Sequence, residues 1–185
     1  MSESDNEYAD RKLLPSLVAR AADIADRFDF KNSCAKAYVP LLQTLTAQVR
    51  GGVVGEMGTG AGIGTSWIAL AAAPDTRIVT IEQDTERSAA VRELFADNPN
   101  VDVVCGDALQ LAEHGPFDLI FCDAGPGKTT DQDATIAMTK RGGTILLDDL
   151  TPGRTDLDWW YESPDVVTAT FWVTPELGAI LAVRR

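Results

Sequence analysis

From Val53 onward, short apolar runs alternate with stretches of helical spacing, and few folds can use that pattern. "GGVVGEM" is followed by "GTSWIALAAA", "RIVTIE" by "TERSAAVRELFAD", "VDVVCGD" by the short "ALQLAE", and "FDLIFCD" by "DQDATIAMTKRGG". "TILLDD" then reads as a fifth strand. The helical members carry their apolar residues on one face, as Val91, Leu94 and Phe95 do, whereas the strand members are apolar almost throughout. A strand that is apolar on both faces must be buried on both, and a parallel sheet covered by crossover helices achieves this. The expected fold is α/β: a doubly wound, mostly parallel sheet with helices on both faces. Two further β-rich runs, "VVTATFWVT" and "GAILAVRR", close the chain around "PEL", and the last strand is expected to run antiparallel.

Two helices are expected ahead of the sheet. In "LLPSLVARAADIADRF", Leu17, Val18, Ala21, Ile24, Ala25 and Phe28 recur at helical spacing, with Pro15 in the first turn. "VPLLQTLTAQVRGG" has Pro40 near its start and Gly51 as its stop. With 185 residues and no linker or repeat, one domain is expected over 1–185, with N-terminal helices in 1–50 and a ligand-binding core in 51–185.

Charge and cysteine usage narrow the partners. Twenty-eight acids against 16 bases give a net charge of −12, which argues against a nucleic-acid partner, because polyanions need a basic face. Cys34, Cys105 and Cys122 form no C-x-x-C pair and read as buried free thiols of a reducing cytoplasm. The polar start "MSESDNEYAD" does not read as a secretory signal, and no apolar run approaches the roughly 20 residues of a membrane span.

In a doubly wound sheet, ligands bind where strands end, so the residues after each strand carry the functional information. After the first strand comes "GEMGTGAGIGT", a glycine-rich loop that lets the backbone approach a ligand closely. The dinucleotide fingerprint G-x-G-x-x-G/A fits it poorly, since its last position falls on Ile63 or Thr65. After the fourth strand comes "CDAGPGKTTDQD", whose Gly-Lys-Thr suggests a phosphate loop. A phosphate loop needs a glycine five residues before Gly127, where the chain has Cys122, and Asp123 would repel phosphate. His114 lies before the fourth strand, at the wrong edge for chemistry. "WWY" at Trp159–Tyr161 follows the fifth strand and is either a stacking surface for an aromatic substrate or the buried face of a short helix.

"VVGEMGTGAGIGTSWIA", read as E-x-G-x-G-x-G from Glu56, resembles motif I of the class I S-adenosylmethionine-dependent methyltransferases, and within them the cation-dependent catechol-type O-methyltransferases. The resemblance runs from about Val53 to the end and makes the expected fold Rossmann-like. It implies a cofactor site of Glu56, Gly58, Thr59, Gly60 and Gly62 in the first loop, Glu82 and Gln83 after strand two, Asp107 and Ala108 after strand three, and Asp123 after strand four. In that family the acid corresponding to Glu82 binds the ribose hydroxyls, as a carboxylate accepting twice can, and the acid corresponding to Asp107 meets the adenine amino group. The competing reading makes Glu82, Asp84 and Asp107 helix caps.

The resemblance further implies a divalent cation, Mg²⁺ or else Mn²⁺ or Ca²⁺, held by Asp123, Asp148 and Asp149. Asp149 stands where the family has asparagine. Pro126 stands where it has its candidate basic lysine, and Lys128 is the nearest lysine, a possible helper to an otherwise unidentified catalytic group. No lysine or arginine adjoins the three aspartates in sequence, so their repulsion is expected to call for a metal. The function expected is O-methylation of a small-molecule acceptor with metal assistance, with no nucleic-acid or membrane partner and with room for a homodimer. The alternatives are a metal-independent methyltransferase, a phosphate-loop NTPase and a non-catalytic nucleotide-binding protein.

Overall fold

The structure is a computed structural model and describes residues 7–185. Two helices, α1 (Ser16–Arg27) and α2 (Val39–Gln48), precede the sheet. Then come β1 (Val53–Met57), α3 (Ile63–Ala71), β2 (Arg77–Glu82), α4 (Thr85–Leu94) and β3 (Val101–Cys105). A 3-10 turn (Ala108–His114) leads to β4 (Phe117–Cys122), followed by α5 (Gly125–Thr129), α6 (Gln132–Met138) and β5 (Thr139–Leu150). The chain closes with α7 (Trp159–Glu162), β6 (Val166–Trp172) and β7 (Gly178–Arg184). The sheet order is β3-β2-β1-β4-β5-β7-β6, with β1 to β5 parallel and β7 antiparallel to both its neighbours. This is the doubly wound sheet that the alternating pattern implies.

Successive residues of the apolar strands feed different cores. On one face, Met57, Ile81, Ile120 and Leu147 pack with Leu111, Ile136 and Trp160. On the other, Val54, Ile78, Leu119, Phe121 and Leu146 pack with Tyr38, Leu42 and Ile68 from the helical layer. A third cluster joins α1 to α3 and α4 through Val18, Ala21, Ala22, Ile63, Val91 and Leu94. Each fully buried aliphatic or aromatic side chain contributes roughly 1.5–3 kcal/mol, so strands that bury both faces hold the sheet's centre in place.

Several expectations shift. The second helix ends at Gln48 because Val49 is already extended, and Gly51, with φ +59°, lies in the turn beyond rather than stopping the helix. α6 stops at Met138, and "TKRGG" becomes the first half of β5 because Thr139 already pairs with Phe117 of β4. "GPGKT" forms a short helix, α5, where only a loop was expected. "WWY" lies on α7: Trp160 is fully buried and Tyr161 is 45% exposed, which favours the buried-helix reading. Cys34 and Cys122 are buried, but Cys105 is exposed, because its strand lies at the sheet edge and turns that side chain outward.

Gly62 sets the junction between β1's loop and α3. It is the residue before the helix, at φ +85°, and a Cβ there would stand 2.9 Å from Val91 Cγ1. Both backbone strain and a clash with a core valine oppose any side chain. Gly62→Ala is expected to cost about 1–3 kcal/mol in urea unfolding; an unchanged midpoint would show that the loop can re-form around the methyl.

Candidate active site at the carboxyl edge of the sheet

β1 and β4 are neighbours, and strand order reverses between them. A cleft of about 720 Å³ opens over the carboxyl ends of the strands there, in the size range of small-molecule sites. Glu56, Gly58, Thr59, Gly60, Glu82, Gln83, Asp107, Ala108 and Asp123 line it, as do Asp148 and Asp149. Gly62 does not line it and is the residue that precedes α3.

Glu82 organises one end. It is 5% exposed, and its Oε2 accepts from the Gly60 N–H at 2.9 Å. Its Oε1 accepts from the Asp84 N–H at 2.9 Å and from Arg87 Nη2 at 2.6 Å. The carboxylate therefore fixes the glycine loop against the end of β2. Asp84, not Glu82, caps α4, accepting from the Arg87 N–H at 2.9 Å. At Asp107 the cap reading and the site reading coincide: its Oδ1 accepts from the Leu109 N–H at 2.9 Å while the residue lines the cleft. Two further side chains enter from outside the expected loops. Arg87 lies 4.6 Å over the ring of Phe30, and Phe30 covers the glycine loop so closely that a Cβ on Gly60 would stand 2.7 Å from it.

Glu56 lies beneath the loop, 1% exposed. Its carboxylate accepts from the hydroxyls of Thr65 and Thr80. Burial pushes its pKa up to about 7, against the opposing pull of those two hydroxyls.

The other end of the cleft is acidic. Asp123 follows β4, and Asp148 and Asp149 lie near the end of β5, with one oxygen from each within 4.8 Å of one another. The expectation that no cation adjoins them is corrected by Lys128. α5 turns its ammonium into the ring, in contact with Asp148 Oδ1, 3.1 Å from Asp149 Oδ2 and 3.5 Å from Asp123 Oδ1. Four residues of chain separate Lys128 from Asp123, but one helical turn closes that distance. Burial first, and then the charge of Asp148, push the Asp123 carboxyl well up; burial also raises the Asp148 carboxyl, against the opposing pull of the Lys128 ammonium. The three aspartates raise the Lys128 pKa against the effect of its burial, so it stays an ammonium and is unsuited to act as a base. The same geometry leaves the phosphate-loop reading without support, since the Gly-Lys-Thr lysine is committed to carboxylates.

Asp149 has φ +61°, an uncommon conformation for a residue with a side chain. It is held there at three points: its N–H donates to Tyr38 Oη at 2.9 Å, its carbonyl accepts from Arg154 Nη1 at 2.7 Å, and its carboxylate meets Lys128. Tyr38 Oη in turn donates to the Gly178 carbonyl at 2.8 Å. Neither Tyr38 nor Arg154 carries a local signal in the sequence, because their partners are fixed by tertiary structure.

Residues 56–150 match the family model described as "Methyltransferase domain". The chain is 32% identical over 105 residues to a catechol O-methyltransferase of Mycobacterium tuberculosis, covering 53% of this chain and 48% of that protein. It is 32% identical over 138 residues to a catechol O-methyltransferase of Niastella koreensis, covering 64% of this chain and 62% of that one. The chain thus spans less than two thirds of the length of these curated relatives. Among solved structures, it superposes with a TM-score of 0.76 and 22% identity on the O-methyltransferase TomG of Streptomyces achromogenes in complex with SAM, over 92% of this chain and 90% of that one. An O-methyltransferase of Bacillus cereus in complex with SAH matches with a TM-score of 0.76 and 20% identity, over 97% and 96%. At these identities the superpositions establish the shared fold.

The buried carboxyl of Glu56 makes stability depend on pH. Its folded pKa of about 7 lies above the ordinary 4.5, so the native state binds the proton more tightly and stability falls as pH rises between those values. The loss attributable to this group is on the order of 3 kcal/mol. Glu56→Gln is expected to flatten that part of the stability profile between pH 5 and 8 in denaturant titrations. A mutant curve parallel to the wild type would mean that Glu56 stays ionised.

Proposed function

Because this chain belongs to the methyltransferase domain family, we propose that it transfers a methyl group from S-adenosylmethionine to an oxygen of a small-molecule acceptor. The observation that carries this reading is one cleft holding both a glycine loop tied to Glu82 and a ring of acids at the ends of β4 and β5. In this reading Glu82 and Gln83 hold the ribose, and Asp107 and Ala108 hold the adenine. Glu56 and the loop from Gly58 to Gly62 support the amino-acid end beside Asp123. The acceptor lies above Asp123, Asp148 and Asp149. An acidic surface and the absence, among described residues, of a helix able to cross a membrane fit a cytoplasmic enzyme with a small acceptor rather than a nucleic acid or membrane partner.

The methyl of a sulfonium is already electrophilic, so the chain's task is to hold the acceptor oxygen in line with it and exclude competing water. The oxygen forms the new bond to carbon, and the carbon–sulfur pair returns to sulfur, leaving S-adenosylhomocysteine. The acceptor proton is released to solvent, on the side of the ring where Asp149 is the most exposed acid. A divalent cation is the second reading. Three hard carboxylate oxygens within 4.8 Å suit Mg²⁺, Mn²⁺ or Ca²⁺, which would supply a Lewis acid to the acceptor hydroxyl. The ring already contains the Lys128 ammonium, however, and so does not fit a resident metal as it stands. No step here depends on one.

Calorimetry with S-adenosylhomocysteine and with ATP tests the reading. S-adenosylhomocysteine is expected to bind and ATP is not. Glu82→Ala is expected to weaken S-adenosylhomocysteine by roughly 1.5–3 kcal/mol, since it removes hydrogen bonds to a charged group and loosens the Gly60 loop. Unchanged affinity in that variant would remove Glu82 from the cofactor site, and ATP binding without S-adenosylhomocysteine binding would overturn the function.

A further inference from the structure

We propose that Lys128 is the resident cation of the carboxylate ring, so that methyl transfer in this cleft needs no divalent metal ion. The proposal rests on the methyltransferase reading and deepens it at the acceptor end.

The first argument is position. The ammonium contacts Asp148 Oδ1 and stands 3.1 Å from Asp149 Oδ2 and 3.5 Å from Asp123 Oδ1. A metal taking one oxygen from each of these residues would need the same space, because metal–oxygen distances of about 2.0–2.6 Å would centre it among them. Two cations do not share such a centre.

The second argument is anchoring. Only 5% of the Lys128 side chain is exposed, and its backbone is fixed. Its carbonyl accepts from the buried indole Nε1 of Trp160 at 2.8 Å. The preceding Gly127 carbonyl accepts from Thr135 Oγ1 at 3.1 Å, and Gly127 itself packs against Met57 and Cys122 without room for a Cβ. The lysine therefore enters the ring from a rigid turn and cannot leave with its backbone. For a metal to enter, the ammonium would have to give up its contacts with the three aspartates.

The third argument is charge. Arg154 meets the carbonyl of Asp149, and its guanidinium is paired with Asp156, so it does not neutralise the ring. Lys128 does. The carboxylate at Asp149 gives the buried ammonium a second close partner beside Asp148, which offsets part of the cost of desolvating it. Pro126 and Lys128 complement it: the lysine two residues further along α5 turns into the ring instead of standing beside it.

The test measures metal binding directly, with cofactor binding as a separate readout. Wild-type protein stripped with EDTA is titrated with Mn²⁺ and followed by electron paramagnetic resonance. S-adenosylhomocysteine affinity is measured by calorimetry in EDTA and in excess Mg²⁺. The expected result is no Mn²⁺ site tighter than millimolar and the same S-adenosylhomocysteine affinity in both buffers. Lys128→Met is expected to create a Mn²⁺ site at least tenfold tighter than the wild type's while still binding S-adenosylhomocysteine. A micromolar Mn²⁺ site in the wild type overturns the proposal, and this measurement decides the matter even where the variant fails to fold. Equal Mn²⁺ binding by folded wild type and Lys128→Met also overturns it. Absence of S-adenosylhomocysteine binding in every condition defeats the underlying methyltransferase reading instead, whatever Mn²⁺ does.

Discussion

A carboxylate as deeply buried as Asp148, with 2% of its surface exposed, must meet a cation or give up its charge. Much of the carboxyl edge is arranged around that requirement. α5, a single helical turn, brings Lys128 back over Asp123. α7 buries Trp160 beneath it, and the indole N–H satisfies the Lys128 carbonyl. Asp149 is held at positive φ by Tyr38 and Arg154, which keeps its carboxylate aimed at the same ammonium. Removing one partner from a buried pair of this kind costs about 3–5 kcal/mol, more than most single apolar contacts contribute. The interaction is weak evidence of high stability, because desolvation offsets most of the attraction, but it strongly specifies geometry.

The opposite end of the cleft is organised by backbone hydrogen bonds together with the Arg87–Glu82 ion pair. Glu82 accepts from the Gly60 and Asp84 N–H groups and from Arg87, so the glycine loop is held in place without needing a ligand to order it, and one acceptor position of Oε2 is left for a ligand. A site ordered in advance loses less entropy when its ligand arrives. Phe30, lying over that loop and under Arg87, links the segment after α1 to the same arrangement.

The sheet was legible because its physics is local: runs such as "FDLIF" and "TILL" are apolar at nearly every position, and only a doubly covered strand can use them. The acids were legible because strand ends are where a doubly wound sheet binds its ligands: Glu82 ends β2, Asp107 lies two residues beyond β3 and Asp123 follows β4. What the sequence hid was non-local. Lys128 reads as part of a Gly-Lys-Thr triplet until α5 coils and brings it over acids on β4 and β5. Tyr38 meets Asp149 across 111 positions of chain. The first half of β5 reads as the tail of a helix because "TKRGG" has helix-stop chemistry, yet its pairing with Phe117 outweighs that local preference. Each of these cases is a tertiary contact overriding a local propensity.

A cation carried on a side chain differs from a dissolved one in its availability. Lys128 stands at its site at an effective concentration set by the length of its own tether rather than by the surroundings. Chelators cannot strip it, a competing ion from the wrong end of the affinity series cannot replace it, and no loading step follows folding. Translation of the chain supplies protein and counter-charge in fixed ratio, one to one, whatever the metal pool outside.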